Sequence, residues 1–124
     1  MVQFIKILLL EDSIADQVYI RRCLLRAKIG ALTTACDNKT SYLKYLQTLQ
    51  PDIIILDYCV PGFFSNEAFT LAKSYFPNIP VIYITSSVSS KIAEETCLSE
   101  SDAFLIKDNM SLLPGVIERL LLRN

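Results

Sequence analysis

PDIIILDYCVPG, residues 51–62, is the stretch on which the reading of the whole chain turns. Ile53, Ile54, Ile55 and Leu56 follow one another without a polar residue, so neither side of this run is built to face water. It is short and β-branched, which argues for a strand rather than a buried helix. A strand that is apolar on both sides suits a parallel sheet covered by helices on each face. Pro51 stands just ahead of it, Asp57 ends it with a carboxylate, and Pro61 falls in the loop that follows.

Similar apolar runs recur at 4–10, 32–36, 81–84 and 103–106, and Pro80 stands ahead of the run at 81. Longer amphipathic stretches separate them. Residues 13 to about 29 repeat apolar positions at Val18, Ile20, Leu24, Leu25 and Ile29, with Gly30 marking the expected end. Further helices are expected at 41–49, 66–75, 89–98 and 111–122, the last with Pro114 in its first turn, where proline is tolerated. The pattern is five βα units without linker or repeat, hence one domain over 1–124. The expected fold is α/β: a doubly wound, five-stranded parallel sheet of flavodoxin-like (βα)5 type, strand order 2-1-3-4-5. Such sheets place their sites beyond the carboxyl ends of the strands.

Composition removes several functional classes. The apolar fraction of 52% is ample for one core, and the net charge of −1 gives no basic surface for direct nucleic-acid binding. There is no histidine, which excludes histidine-based triads. Cys23, Cys36, Cys59 and Cys97 form no CxxC pair and read as ordinary thiols in a reducing cytosol. The opening MVQFIKILLLEDS ends in an acidic pair rather than a cleavage site, and no stretch approaches the roughly 18–20 apolar residues of a membrane span. The expectation is a cytoplasmic protein that does not enter a membrane.

The chemistry collects at the strand ends. The first run leads into Glu11-Asp12, the third ends on Asp57, the fourth on Thr85, and the fifth is followed by Lys107. In a 2-1-3-4-5 sheet these ends share one rim. Clustered carboxylates repel unless a cation sits among them, and all-oxygen ligands point to a hard ion such as Mg²⁺. A carboxylate nucleophile, a metal and an ammonium form a coherent phosphoryl-transfer set, with Thr85 able to donate a hydrogen bond. Taken singly, each residue has an ordinary explanation: Glu11 or Asp12 as a helix cap, Asp57 in a turn, Lys107 as a solvated charge, Thr85 as a β-former. Their joint placement at four strand ends favours the site. An aspartyl-phosphate phosphatase would want a second aspartate where Cys59 stands. A flavodoxin-type electron carrier would want a glycine- and hydroxyl-rich loop where EDSIADQ stands.

KILLLEDS, PDIIILDYCVPG, PVIYITSS and DAFLIKD, in this order and spacing, resemble the response-regulator receiver family over essentially the whole chain. The resemblance implies a two-component phosphorelay receiver with Asp57 as phosphoacceptor. It implies Mg²⁺ on Glu11, Asp12, Asp57 and the backbone carbonyl of Cys59, with Thr85 and Lys107 contacting the phosphoryl group. Ser86 matches the small neighbour that permits access. Thr85 and Phe104 match the switch pair whose movement changes the surface around the fourth helix, fifth strand and fifth helix. Such domains are not enzymes beyond their own Mg²⁺-dependent phosphorylation and dephosphorylation. The implied partners are a sensor histidine kinase or histidine phosphotransfer protein and a downstream protein target, with that same face available for a homodimer.

The sequence also departs from the family. Asp108 follows Lys107 where proline is usual, Ser65 stands where a glycine is common, and Ser99-Glu100-Ser101 replaces the glycine that often ends the fourth helix. None of these removes a chemical group from the site. Tyr58 and Cys59 are placed to tune access to it. The rival reading is a receiver-like interaction module that works without phosphorylation. In either case the chain reads as a stand-alone receiver or as a segment of a larger regulator.

Overall fold

The structure, a computed structural model, describes residues 4–85 and 101–122. The helix expected at 89–98, together with Ser86, Cys97, Ser99 and Glu100, lies outside the described residues. Strands β1 (Ile5–Leu10), β2 (Ala31–Cys36), β3 (Ile53–Asp57), β6 (Val81–Thr85) and β7 (Ala103–Ile106) form one sheet in the order β2-β1-β3-β6-β7, every pair parallel. Counted along the chain these strands stand as 2-1-3-4-5, the order the sequence predicts.

Side-chain alternation explains the unbroken apolar runs. Ile7, Leu9, Ile53 and Ile55 enter a cluster with Ile20 and Leu24 of α1 (Ile14–Arg26) and Leu113 and Ile117 of α4 (Leu113–Leu122). Leu8, Leu10, Ile54 and Leu56 point the other way, onto Tyr42 and Leu46 of α2 (Lys39–Thr48) and Ala68 and Ala72 of α3 (Ser65–Tyr75). Successive strand residues face opposite sides, so a strand with helices on both sides needs no polar position. Each such aliphatic side chain contributes about 1.5–3 kcal/mol relative to exposure. Cys23 and Cys36 are buried, one in each cluster, and Cys59 is exposed. Among the described residues no helix is long and apolar enough to cross a membrane.

Helix ends depart from the sequence reading. α1 stops at Arg26, not near Ile29, and the left-handed residue is Lys28 (φ 60°) rather than Gly30. Ile29 N–H donates to Leu24 O and Lys28 N–H to Leu25 O, the paired bonds of a Schellman ending. Ile29 and Leu24 share a core cluster, and the Gly30 carbonyl accepts from Ile5 N–H at 2.8 Å. Gly30 therefore registers the next strand instead of ending the helix. α2 begins at Lys39, two residues before the expected 41, because Asn38 caps it by accepting from Ser41 N–H. The last helix begins at Leu113, and residues 107–112 form a 3-10 stretch before it.

One element was not anticipated. β4 (Cys59–Val60) and β5 (Phe63–Phe64) pair as a small antiparallel hairpin across Pro61-Gly62, with Gly62 at φ 76°. Proline followed by a residue of positive φ is the order a type II turn requires. The hairpin carries the chain from Asp57 directly into α3.

Candidate functional site

The carboxyl ends of β1, β3, β6 and β7 open on one rim. Glu11, just past β1, is fixed through its backbone: its amide donates to Cys36 O at 2.9 Å, and its carbonyl accepts from Gln17 Nε2 at 2.7 Å. Its side chain is fully buried, and Oε2 accepts the Ser13 amide at 3.0 Å. Asp57, the last residue of β3, is also buried, and its Oδ1 accepts the Cys59 amide at 3.1 Å. Asp12 is exposed at the mouth. One oxygen from each of Glu11, Asp12 and Asp57 lies within 4.8 Å of the others.

Lys107 reaches this group from the end of β7. Its Nζ lies 2.7 Å from Glu11 Oε1, 2.7 Å from Asp16 Oδ2 and 3.2 Å from Asp57 Oδ2. The contact with Glu11 is close but off the line of a hydrogen bond, so Oε1 has a charge partner and no directional one. Burial raises the Glu11 carboxyl to about 7; Lys107 and the Ser13 amide pull it down, and Asp57 adds to the rise. For Lys107, burial acts to lower the ammonium, but Asp16, Glu11 and Asp57 outweigh it and hold it above the usual lysine range. Among the described residues the rim therefore carries more carboxylates than its one lysine offsets.

Thr85 ends β6 with its side chain buried, one position beyond Ile84, the register partner of Asp57. Phe104 lies half-buried on β7, opposite Tyr83 in register. Tyr83 in turn meets Tyr58 edge-on at 5.8 Å. A cleft of about 440 Å³ just after Asp57 in the chain is lined, among the described residues, by Tyr58, Cys59, Pro61, Phe63 and Phe64 together with Val60 and Asn66, with no carboxylate. The structure thus brings Glu11, Asp12, Asp57 and Lys107 together, with Thr85 on the adjoining strand end and the Cys59 backbone on Asp57.

Sequence reasoning missed Asp16 and Gln17. Asp16 occupies the first turn of α1, 91 residues from the lysine it meets, and locally reads as an ordinary acid near a helix start. The only signal available was the 3.6-residue spacing that turns its side chain back toward the strand end. As a metal site the group fits a hard ion: the donors are all oxygens, and one buried carboxylate oxygen has no hydrogen bond.

Residues 7–116 match the family described as the response regulator receiver domain. The chain is 31% identical over 118 residues to a two-component response regulator of Arabidopsis thaliana, covering 83% of this chain and 49% of that protein. It spans about half the length of the curated relatives it matches. Among solved structures it resembles the receiver domain of a sensor histidine kinase from Pseudomonas aeruginosa with magnesium in its active-site cleft (TM-score 0.80, 20% identity, covering 96% of this chain and 98% of that one). It also resembles the beryllofluoride-activated DrrB receiver domain (TM-score 0.83, 18% identity, covering 98% and 100%).

Proposed function

The chain belongs to the response-regulator receiver domain family, and on that premise we propose that Asp57 accepts a phosphoryl group from a phosphohistidine in a two-component relay. The observation that carries this reading is Lys107, whose ammonium sits 3.2 Å from Asp57 within a group of carboxylates that one cation does not neutralise. An Asp57 carboxylate oxygen attacks phosphorus, the P–N bond of the donor breaks with its electron pair going to the imidazole, and an acyl phosphate forms. Lys107 turns a donor toward the incoming oxygens, and Thr85 offers its hydroxyl from the adjoining strand. The Cys59 amide orients Asp57 through Oδ1, leaving Oδ2 toward the lysine. Glu11, Asp12, Asp57 and the Cys59 carbonyl would hold Mg²⁺. That ion, when bound, supplies the positive charge that transfer to an anionic acceptor requires.

The output on this reading is a two-state surface biased by Thr85 and Phe104, and the partners are a donor kinase or phosphotransfer protein and a protein target. We place the protein in the cytoplasm and take 1–124 as one receiver unit. The test is intact-mass analysis after incubation with acetyl phosphate or phosphoramidate, with and without Mg²⁺. The expected result is Mg²⁺-dependent gain of one phosphoryl group in wild type and none in Asp57→Asn. No gain from either donor in folded protein that binds Mg²⁺ would overturn the reading in favour of a phosphorylation-independent module.

A further inference from the structure

Asp16 holds the position in α1 where an acid ordinarily reaches back to bond the amide of the N-cap residue. Here that amide, Ser13 N–H, is already taken by Glu11 Oε2 at 3.0 Å. Ser13 Oγ meanwhile accepts the Asp16 amide at 3.2 Å, fixing the Asp16 backbone. The Asp16 carboxylate is thereby released from helix capping, and it points at Lys107 from 2.7 Å.

An ammonium has three donors and no acceptor. Lys107 makes directional bonds to Asp16 at 2.7 Å and Asp57 at 3.2 Å, with the Glu11 oxygen close but off-line. The contact with Asp16 is thus the shorter of the two directional bonds. Asp16 is the most exposed of the three acids, its side chain 34% open against 0% for Glu11 and 4% for Asp57. It pulls the lysine toward the rim while the acceptor lies on the floor.

We propose that Asp16 is a positioning residue that holds the Lys107 ammonium in competition with the phosphoryl group on Asp57, and so sets how readily the site fills. The proposal rests on the phosphoacceptor reading of Asp57. When acetyl phosphate reacts, an Asp57 oxygen bonds to phosphorus, the donor's P–O bond breaks, and acetate leaves with the electron pair. The new phosphoryl oxygens compete with the Asp16 carboxylate for the position of the ammonium, and the charge of Asp16 also opposes the approach of an anionic donor. Releasing Lys107 therefore favours both reaction and product.

The experiment measures the labelling rate by acetyl phosphate at saturating Mg²⁺, and the affinity for beryllofluoride, in wild type, Asp16→Asn and Asp16→Glu. Asp16→Asn is expected to label about fivefold faster and bind beryllofluoride about fivefold more tightly, equivalent to ~1 kcal/mol at 1.36 kcal/mol per tenfold. Asp16→Glu, which keeps the charge, returns toward wild type. A helix-start role alone would shift the melting temperature and leave both readouts unmoved. Wild type that labels while Asp16→Asn matches it, or labels more slowly, overturns the inference and leaves the function standing. An acceleration that vanishes in about 0.5 M salt also overturns it, because a diffuse surface field is screened there and a close, half-buried contact much less so. Wild type that labels from neither acetyl phosphate nor phosphoramidate, while folded and binding Mg²⁺, overturns both.

Discussion

Carboxylates occupy both ends of the sheet, and they do opposite things. At the amino end Asp52 and Asp102 each stand one residue before a strand and make the same two-point clasp. The Asp52 amide donates to Lys6 O at 2.8 Å, and its Oδ2 accepts Lys6 N–H at 2.8 Å. The Asp102 amide donates to Val81 O at 2.9 Å, and its Oδ2 accepts Val81 N–H at 2.8 Å, with Lys73 at 3.3 Å beside it. Both side chains are exposed, and each answers a backbone donor that the strand start would otherwise leave to water. At the carboxyl end Glu11 and Asp57 are buried and share one lysine with Asp16. The same chemical group closes the sheet at one end and holds unbalanced charge at the other. The first arrangement is matched by backbone and lysine donors; the second sets three acids around one lysine and fits a hard cation.

That contrast can be broken by substitution. Lys107→Met removes the one cation shared by three acids, and the metal-free protein should lose about 2–4 kcal/mol at pH 7.5 in urea melts, since stripping the partner from buried charge is costly. Saturating Mg²⁺ should restore much of it, because ligand bound only by the folded state stabilises that state. Asp102→Ala should lose about 1–2 kcal/mol, from a hydrogen bond to a charged acceptor and its partly exposed lysine pair. Mg²⁺ should leave that loss unchanged. If Mg²⁺ rescues both variants equally, the two ends do not differ in the way argued.

How far the sequence foretold this depends on the range of the interaction. Residues 53–56 announce a doubly covered strand because burial on both faces writes itself into consecutive residues. Glu11, Asp12, Asp57, Thr85 and Lys107 were legible because each follows directly on an apolar run whose end could be seen. The clasp of Asp52 was not, since one acid before a strand carries no local sign of the amide it will meet 46 residues away. Asp16 failed for the same reason. The hairpin at 59–64 failed differently: two-residue strands are too short for any periodicity, although Pro61-Gly62 was there to be read as a turn. Gly30 misled because glycine is the usual residue after a helix, yet Lys28 accepted the left-handed position with Ile29 anchored in the core.

The remaining expected effect is a pH slope, and it sharpens the contrast most directly. Burial raises the Glu11 carboxyl from the ordinary 4.5 to about 7, so between these values the folded protein keeps a proton that the unfolded chain has released. Stability falls with rising pH wherever the folded state binds more protons, so in EDTA this residue costs nothing below about 4.5 and its full penalty above about 7. Wild type should therefore lose stability across that window relative to Glu11→Gln, which has no charge to bury; the full shift is worth about 3 kcal/mol by linkage. Added Mg²⁺ should reverse the order at pH 7.5, because the ion favours the ionised carboxylate of wild type and gains little from the amide. Parallel pH profiles for the two proteins in EDTA would mean that Lys107 and the Ser13 amide already satisfy Glu11. The carboxyl end would then be as complete without metal as the amino end is.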